Sequence, residues 1–365
     1  MRGFLNPPAS QVAIFTIALF YCPLKREEVQ RIKLSNSNTN DYIAREIHQK
    51  AIVFDGHCDT VLRIMNDKKS LEKKSITGQL DIPRMKEGGV NVQFFAVFIE
   101  AIYKPHRSLK RTLQLIDCIY REVEKNQNDI SLVINSRQIK EITDGGKIAA
   151  ILSIEGGEAL EGDLGVLRML YRLGVRLMTL TWNQRNQIAD GVGESRTGSG
   201  LTEFGLQVID EMNKLGMLID VSHLSETCFW DVIKRSKSPI VASHSNCYSL
   251  CPHLRNLKDE QIKAIAEKGG IIGVTFVPDF LTNEKREATI KDVAEHIEYL
   301  VKIVGVDYVG LGSDFDGTKV LPLGLEGIDK VPNITEEMLN RGYKTEEIKK
   351  ILGENWLRVF KNVVR

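Results

Sequence analysis

Eight short apolar runs, each followed by a turn and a longer amphipathic segment, recur between residue 41 and the end of the chain. The runs are Ile52–Asp55, Val92–Phe98, Ala149–Ile154, Arg176–Thr181, Leu218–Val221, Ile240–Ser243, Ile271–Phe276 and Tyr308–Gly312. Most are continuously apolar rather than alternating, the pattern of parallel strands covered on both faces. The segments between them, such as Arg111–Lys125, Gly205–Leu215, Thr227–Arg235 and Ile290–Val304, carry apolar residues three or four apart and predict helices. No linker divides the chain into halves, so an α/β fold of the (β/α)8 TIM-barrel type fits better than two doubly wound sheets.

Residues 1–40 stand outside this repeat. Val12–Cys22 is apolar but falls short of the roughly 20 residues that span a bilayer as a helix. No small-residue cleavage site follows it before Lys25-Arg26-Glu27-Glu28, which makes an export signal the lesser alternative. Ser35-Asn-Ser-Asn-Thr-Asn40 reads as a polar linker, so the expectation is an N-terminal extension over 1–40 and a single barrel domain over 41–365. Lys and Arg total 49 against 48 Asp and Glu, which leaves no single-sign field to hold a nucleic-acid backbone. The six cysteines include no CxxC pair, which suits a reducing, cytoplasmic compartment; Cys247 and Cys251 read as small apolar side chains in one loop.

In a barrel of this kind, catalytic groups sit at the C-terminal ends of the strands and in the loops that follow. Asp55-Gly-His57-Cys-Asp59 follows the first run, Glu155-Gly-Gly the third, Ser222-His223 the fifth, Ser243-His244-Ser the sixth and Ser313-Asp314-Phe-Asp316-Gly the eighth. The spacing in His57-x-Asp59 puts an imidazole and a carboxylate on one side of an extended strand end. With Glu155, His223 and His244 at three other strand ends, the set suits zinc, and Glu155 with its two oxygens is the natural bridge between two ions. Two metals sharing a water make hydroxide available near neutral pH, so hydrolysis is the implied chemistry. Asp314 is the candidate proton carrier, while Asp316 reads as a turn or supporting carboxylate. Arg255, on the loop after the sixth run, can grip a substrate carboxylate with two parallel hydrogen bonds. His253 beside Pro252 reads as structural or exposed.

The motifs FDGHCDT at 54–60, SIEGGEAL at 153–160, DVSHLSE at 220–226, ASHSN at 242–246, HLRN at 253–256 and GLGSDFDG at 310–317 resemble the membrane, or renal, dipeptidase family of zinc peptidases. The resemblance runs in unbroken order from about residue 42 to the C-terminus. It implies a metal-dependent hydrolase barrel with His57 and Asp59 on one zinc, His223 and His244 on the other, and Glu155 bridging them. It further implies that Arg255, with Asn256 beside it in HLRN, meets the substrate and that Asp314 handles the proton. The implied activity is cleavage of dipeptides with a free C-terminal carboxylate, broad side-chain tolerance and some acceptance of L,D substrates, by a protein that is commonly a homodimer. The chain departs from the renal pattern at Trp182, where those enzymes carry a histidine that helps bind the tetrahedral intermediate. Trp182 reads as a pocket wall, and Asn183 or Asn186 is the candidate for the oxyanion contact. The C-terminal Asn355–Arg365 segment is amphipathic and lacks the small residues, spacer and apolar tail of a lipid-anchor signal, so no stable membrane anchor is expected. The alternatives are another binuclear-metal hydrolase acting on an amide, lactone or phosphoester, and a metal-binding scaffold without catalysis.

Overall fold

The computed structural model describes residues 42–364. Its strands are β1 (Phe54–Asp55), β2 (Val92–Phe98), β3 (Ile130–Leu132), β4 (Ile148–Glu155), β5 (Val175–Thr179), β6 (Leu218–Asp220), β7 (Ile240–Ala242), β8 (Ile271–Val274) and β9 (Val309–Leu311). All pair in parallel in the order β2-β1-β9-β8-β7-β6-β5-β4, and β2 pairs again with β4 from Val92↔Ala149 to Phe98↔Glu155. That last pairing closes eight strands into a (β/α)8 TIM barrel. The extra strand, β3, joins the lower half of β4 from Ile130↔Ile148 to Leu132↔Ala150, below Leu152 where the β4–β5 register begins.

Several predicted runs are longer than the ladders they contain. Val53 and Phe276 flank β1 and β8 without belonging to them, yet both are fully buried. An apolar run therefore marks burial rather than ladder length, and both flanking residues still bond to neighbouring segments, the Val53 carbonyl accepting from the Val92 amide at 3.0 Å and the Phe276 amide donating to the Ser313 carbonyl at 3.1 Å. Helices follow the predicted periodicity closely: Ile290–Val304 coincides, and Ser108–Lys125 begins three residues before the expected Arg111. Thr202 caps the helix Glu203–Leu215 by accepting from the Gly205 amide at 2.9 Å, and Gly216, at φ 74, ends it in the left-handed conformation that glycine adopts without a steric cost.

Inside the barrel, Phe54, Phe94, Ile151, Leu177, Leu218, Val241 and Ile271 form one apolar cluster with Trp356 and Phe360. The last two belong to the C-terminal helix Asn355–Val363, whose apolar face stoppers the N-terminal ends of the strands. The Trp356 indole stacks on Phe54 and donates its N–H to the Leu311 carbonyl at 2.9 Å. Chemistry is thus confined to the opposite rim. Cys247 and Cys251 are free and buried. Among the described residues no helix is long and apolar enough to cross a membrane. The expectations for residues 1–40, Val12–Cys22 included, lie outside the described residues.

Candidate active site

Each candidate ligand sits where a strand has just ended. On β4, Ile151, Ser153 and Glu155 share one face by the two-residue period of a strand, so the wall that is apolar at Ile151 ends in a carboxylate at the mouth. β1 stops at Asp55, and the chain turns at Asp59 into the helix Thr60–Asp67. Parallel bridging continues past β1 to Cys58, which pairs with Phe315, and the turn at Asp59 sets His57 Nε2 3.8 Å from Asp59 Oδ2. His223 (φ 67) and Asp314 (φ 66) are non-glycine residues held left-handed, each costing about 1–3 kcal/mol, and such strain concentrates at functional positions. The strand ends meet because they carry glycine: a Cβ on Gly312 would lie 1.8 Å from the Ser243 carbonyl oxygen, and one on Gly56 would lie 2.9 Å from it.

The result is a cluster organised about Glu155. Its Oε1 lies 2.9 Å from His223 Nε2 and 3.5 Å from His244 Nε2, while Oε2 lies 3.7 Å from His57 Nε2. His57 Nε2 is also 3.9 Å from Asp314 Oδ1, and the His223 and His244 Nε2 atoms are 2.8 Å apart. Burial lowers the pKa of both His223 and His244 well below the ordinary value, so these imidazoles are neutral and ligand-ready. Burial also opposes the charge on His57, but Glu155, Asp59 and Asp314 carry it up to about 10. Burial raises Glu155 well above the usual range, with Asp59 adding to the effect, and lifts Asp314 to about 7.

This arrangement fits metal ions. Three carboxylates and three imidazoles converge, and two sets, His57/Glu155/His244 and His57/Asp59/Asp314, bring ligand atoms within 4.8 Å of one another. Both ring nitrogens of His57 and Asp59 Oδ1 are buried without a hydrogen-bond partner, as expected of atoms whose partner is a cation.

The cluster opens into a chamber of about 270 Å³ lined by Phe98, Trp182 and Asn183 on the β2–β5 side and by Arg255, Val277 and Phe280 on the opposite side. Arg255 is buried; its Nη2 donates to the His244 carbonyl at 3.0 Å, its Nε has no partner, and burial lowers its pKa to about 10. Asn183 turns Oδ1 to His223 Nδ1 at 2.8 Å. Asn256 spends its amide on the carbonyls of Cys251 and Phe280, each at 2.8 Å, which leaves only Oδ1, an acceptor. Asn186 likewise donates to the Leu180 carbonyl at 2.9 Å. Asp316 accepts from Thr60 Oγ1 and the Gln79 amide and pairs with Arg63, bracing the rim. His253 Nδ1 accepts from the Arg255 amide.

Sequence reasoning missed part of this wall. Phe98 meets Trp182 edge-on at 5.2 Å, and Lys104, paired with Glu158 at 2.9 Å, places its ammonium 5.6 Å from the Trp182 ring. Phe98 could have been found as the last residue of the second run, at the same rim as Glu155; Lys104 and Glu158 carry no such signal.

A family model described as membrane dipeptidase, peptidase family M19, matches residues 42–365. An uncharacterised dipeptidase of Schizosaccharomyces pombe is 37% identical over 339 residues, covering 87% of this chain and 82% of that protein. Among solved structures, a dipeptidase AC described as an M19 metallopeptidase superposes with a TM-score of 0.82 at 31% identity, over 86% of this chain and 99% of its own. A metallopeptidase of Rhodobacter sphaeroides, liganded with a phosphinate mimic of the dipeptide L-Ala-D-Ala, gives the same TM-score of 0.82 at 30% identity, over 86% of this chain and all of its own.

Proposed function

The chain belongs to the membrane dipeptidase family, peptidase family M19, and is a metal-dependent dipeptidase; on that premise we propose that it cleaves L,L and L,D dipeptides with a free C-terminal carboxylate, using two zinc ions. The observation that carries the two-metal reading is the division of Glu155, with Oε1 toward His223 and His244 and Oε2 toward His57. His57 and Asp59 would hold one ion, His223 and His244 the other, with Glu155 between them. Imidazole and carboxylate donors favour zinc. Bound zinc supplies Lewis acidity, polarising a carbonyl and making water acidic.

The chain's own residues do the rest. Arg255 takes the substrate carboxylate through its paired N–H groups, and its backbone anchor on His244 fixes the distance from clamp to ligands. A dipeptide held there extends across the chamber, so its N-terminal side chain meets Phe98 and Trp182. Asp314, at the chamber wall beside His57, accepts the water proton and delivers it to the leaving amine. The Asn183 side chain, held by His223, presents its amide N–H groups as oxyanion donors in place of the histidine that Trp182 replaces. L,D tolerance draws support from the ligand of the Rhodobacter sphaeroides relative. A homodimer, and a cytoplasmic location suited to the five free cysteines among the described residues, complete the proposal.

The test is release of free amino acids from paired L,L and L,D dipeptides by zinc-loaded and by chelated protein, with C-terminally amidated dipeptides alongside. Zinc-dependent cleavage limited to free carboxylates is expected. Equal cleavage of the amides would remove Arg255 from its role, and Asp314→Asn with full turnover would remove Asp314 from its own.

A further inference from the structure

We propose that the two metal positions are unequal by construction: the one at His223 and His244 is preset by a hydrogen-bond relay ending on Asp220, whereas the one at His57 and Asp59 lacks such support and exchanges its ion more readily. The inference rests on the two-zinc reading above and goes beyond it by ranking the two positions.

The relay begins at Asp220, the last residue of β6, which is fully buried. Its Oδ1 accepts from the backbone amides of Ser222 at 3.0 Å and Ser243 at 2.9 Å. Its Oδ2 accepts from the hydroxyls of Thr179 and Ser243, both at 2.6 Å. A serine hydroxyl has one hydrogen, and here the carboxylate takes it. Ser243 Oγ, 2.7 Å from His244 Nδ1, can then only accept, so the His244 proton sits on Nδ1 and Nε2 carries the lone pair. On the neighbouring ring the amide oxygen of Asn183, 2.8 Å from His223 Nδ1, also only accepts, so His223 Nε2 carries a lone pair as well. Two lone pairs 2.8 Å apart thus face one carboxylate oxygen at 2.9 and 3.5 Å. The two ring lone pairs repel unless a proton or a metal ion sits between them, and the fold holds both rings in the ligating tautomer and tilt beforehand.

The other position is built differently. Neither nitrogen of His57 makes a hydrogen bond, its Nε2 lying 3.7 Å from Glu155, 3.8 Å from Asp59 and 3.9 Å from Asp314, and the ring lies tilted against His244 with centroids 3.9 Å apart. Its own carboxylate is also the more open one: the Asp59 side chain is 12% exposed, against 4% for the shared Glu155. With no fixed tautomer and more solvent, ordering these ligands falls on the binding step itself, which weakens the site.

The decisive measurement is a titration of metal-free full-length protein with Zn2+ against a competing chelator, read as stoichiometry and as two dissociation constants. Two ions per chain with separate affinities are expected. Ser243→Ala should weaken the tighter class by about 10–100-fold and leave the looser class unchanged. Ser243→Thr, which keeps the hydroxyl, should restore it, and Asp59→Asn should weaken the looser class alone. Two equal sites, or a Ser243→Ala protein with both constants unchanged or both shifted alike, would overturn the ranking. One ion per chain would instead sink the two-zinc reading and this proposal with it. If Ser243→Ala does not fold, the Asp59→Asn titration still decides, because loss of the tighter class there contradicts the assignment.

Discussion

The floor and the mouth of the barrel stand on the same strands and follow opposite rules. On β4 only Leu152, Ser153 and Ile154 separate Ile151, packed against the apolar stopper, from Glu155, set among imidazoles and carboxylates. At the floor apolar packing dominates, and the polar groups of the closing helix are satisfied within the protein: the Trp356 indole donates to Leu311, and Asn355 to the carbonyls of Val306 and Val309. At the mouth each buried polar atom needs a partner, and several lack one within the protein, both nitrogens of His57 and Asp59 Oδ1 among them. One end therefore stabilises the fold by excluding water, while the other holds chemistry at a cost in desolvation and charge repulsion.

The largest expected effect is at Glu155. Glu155→Gln should lower turnover on the order of 10⁴-fold, about 5.5 kcal/mol of transition-state stabilisation, because the amide nitrogen cannot bridge a second ion. The metal-free variant should nevertheless melt close to the metal-free parent, since relief of a buried carboxylate facing Asp59 and Asp314 offsets the loss of its attraction to His57. Rates on a dipeptide and melting curves in chelator check both halves. A clear fall in the metal-free melting temperature would show that the mouth also holds the fold together and would break the contrast.

Next comes the floor. Trp356 is fully buried and stacked on Phe54 at 5.7 Å, so Trp356→Ala should cost about 3–5 kcal/mol in denaturant unfolding. Turnover per folded molecule should change little. The indole also touches Gly56, the neighbour of His57, where a Cβ would sit 2.4 Å from Trp356 Cζ2. A large loss of zinc from the folded variant would show that the two ends are coupled through that glycine.

The contrast also explains what could be read from the sequence. Burial has a period, so the eight apolar runs were enough to predict the barrel, and the rim position of His57, Glu155, His223, His244 and Asp314 followed from topology. Strand ends were not legible, because one strand's own residues do not say where its ladder stops, and β3, no shorter than β6, β7 or β9, has its apolar run interrupted at Ser131. In Asp55-x-His57-x-Asp59 the parallel pairing reaches Cys58, bridged to Phe315, and the turn at Asp59, which the spacing does not show, completes the approach of the two side chains. Asn183, Ser243 and Asp220 do their work through hydrogen bonds between separate strands, which single residues in one chain do not reveal. Asp220 did carry a faint signal, a lone charge inside the apolar run Leu218–Val221.

The smallest effect separates the two ends by pH. In the metal-free chain His57 is raised from 6.5 to about 10: burial opposes the proton, and Glu155, Asp59 and Asp314 outweigh it. Asp314 is raised from 3.8 to about 7, chiefly by burial. Both shifts are upward, so the folded chain holds protons that the unfolded chain has released. The stability each adds is full below the unfolded value and is lost as pH rises through the folded one: for Asp314 between 3.8 and about 7, for His57 between 6.5 and about 10. Zinc runs the other way, because a ligating imidazole must surrender its proton. Apparent zinc affinity should therefore climb at least about tenfold per pH unit from roughly pH 7 to 9, as His57 and the raised Glu155 give up protons, and more steeply below pH 7, where Asp314 releases another. The melting temperature gained on adding zinc should be larger at pH 8 than at pH 6, while the cost of Trp356→Ala, which involves no titrating group, stays flat over the same range. Chelator competition and melts at several pH values measure both. A zinc affinity that does not vary with pH would mean that His57 is already neutral before the metal arrives, and the mouth would then be as settled without its ions as the floor.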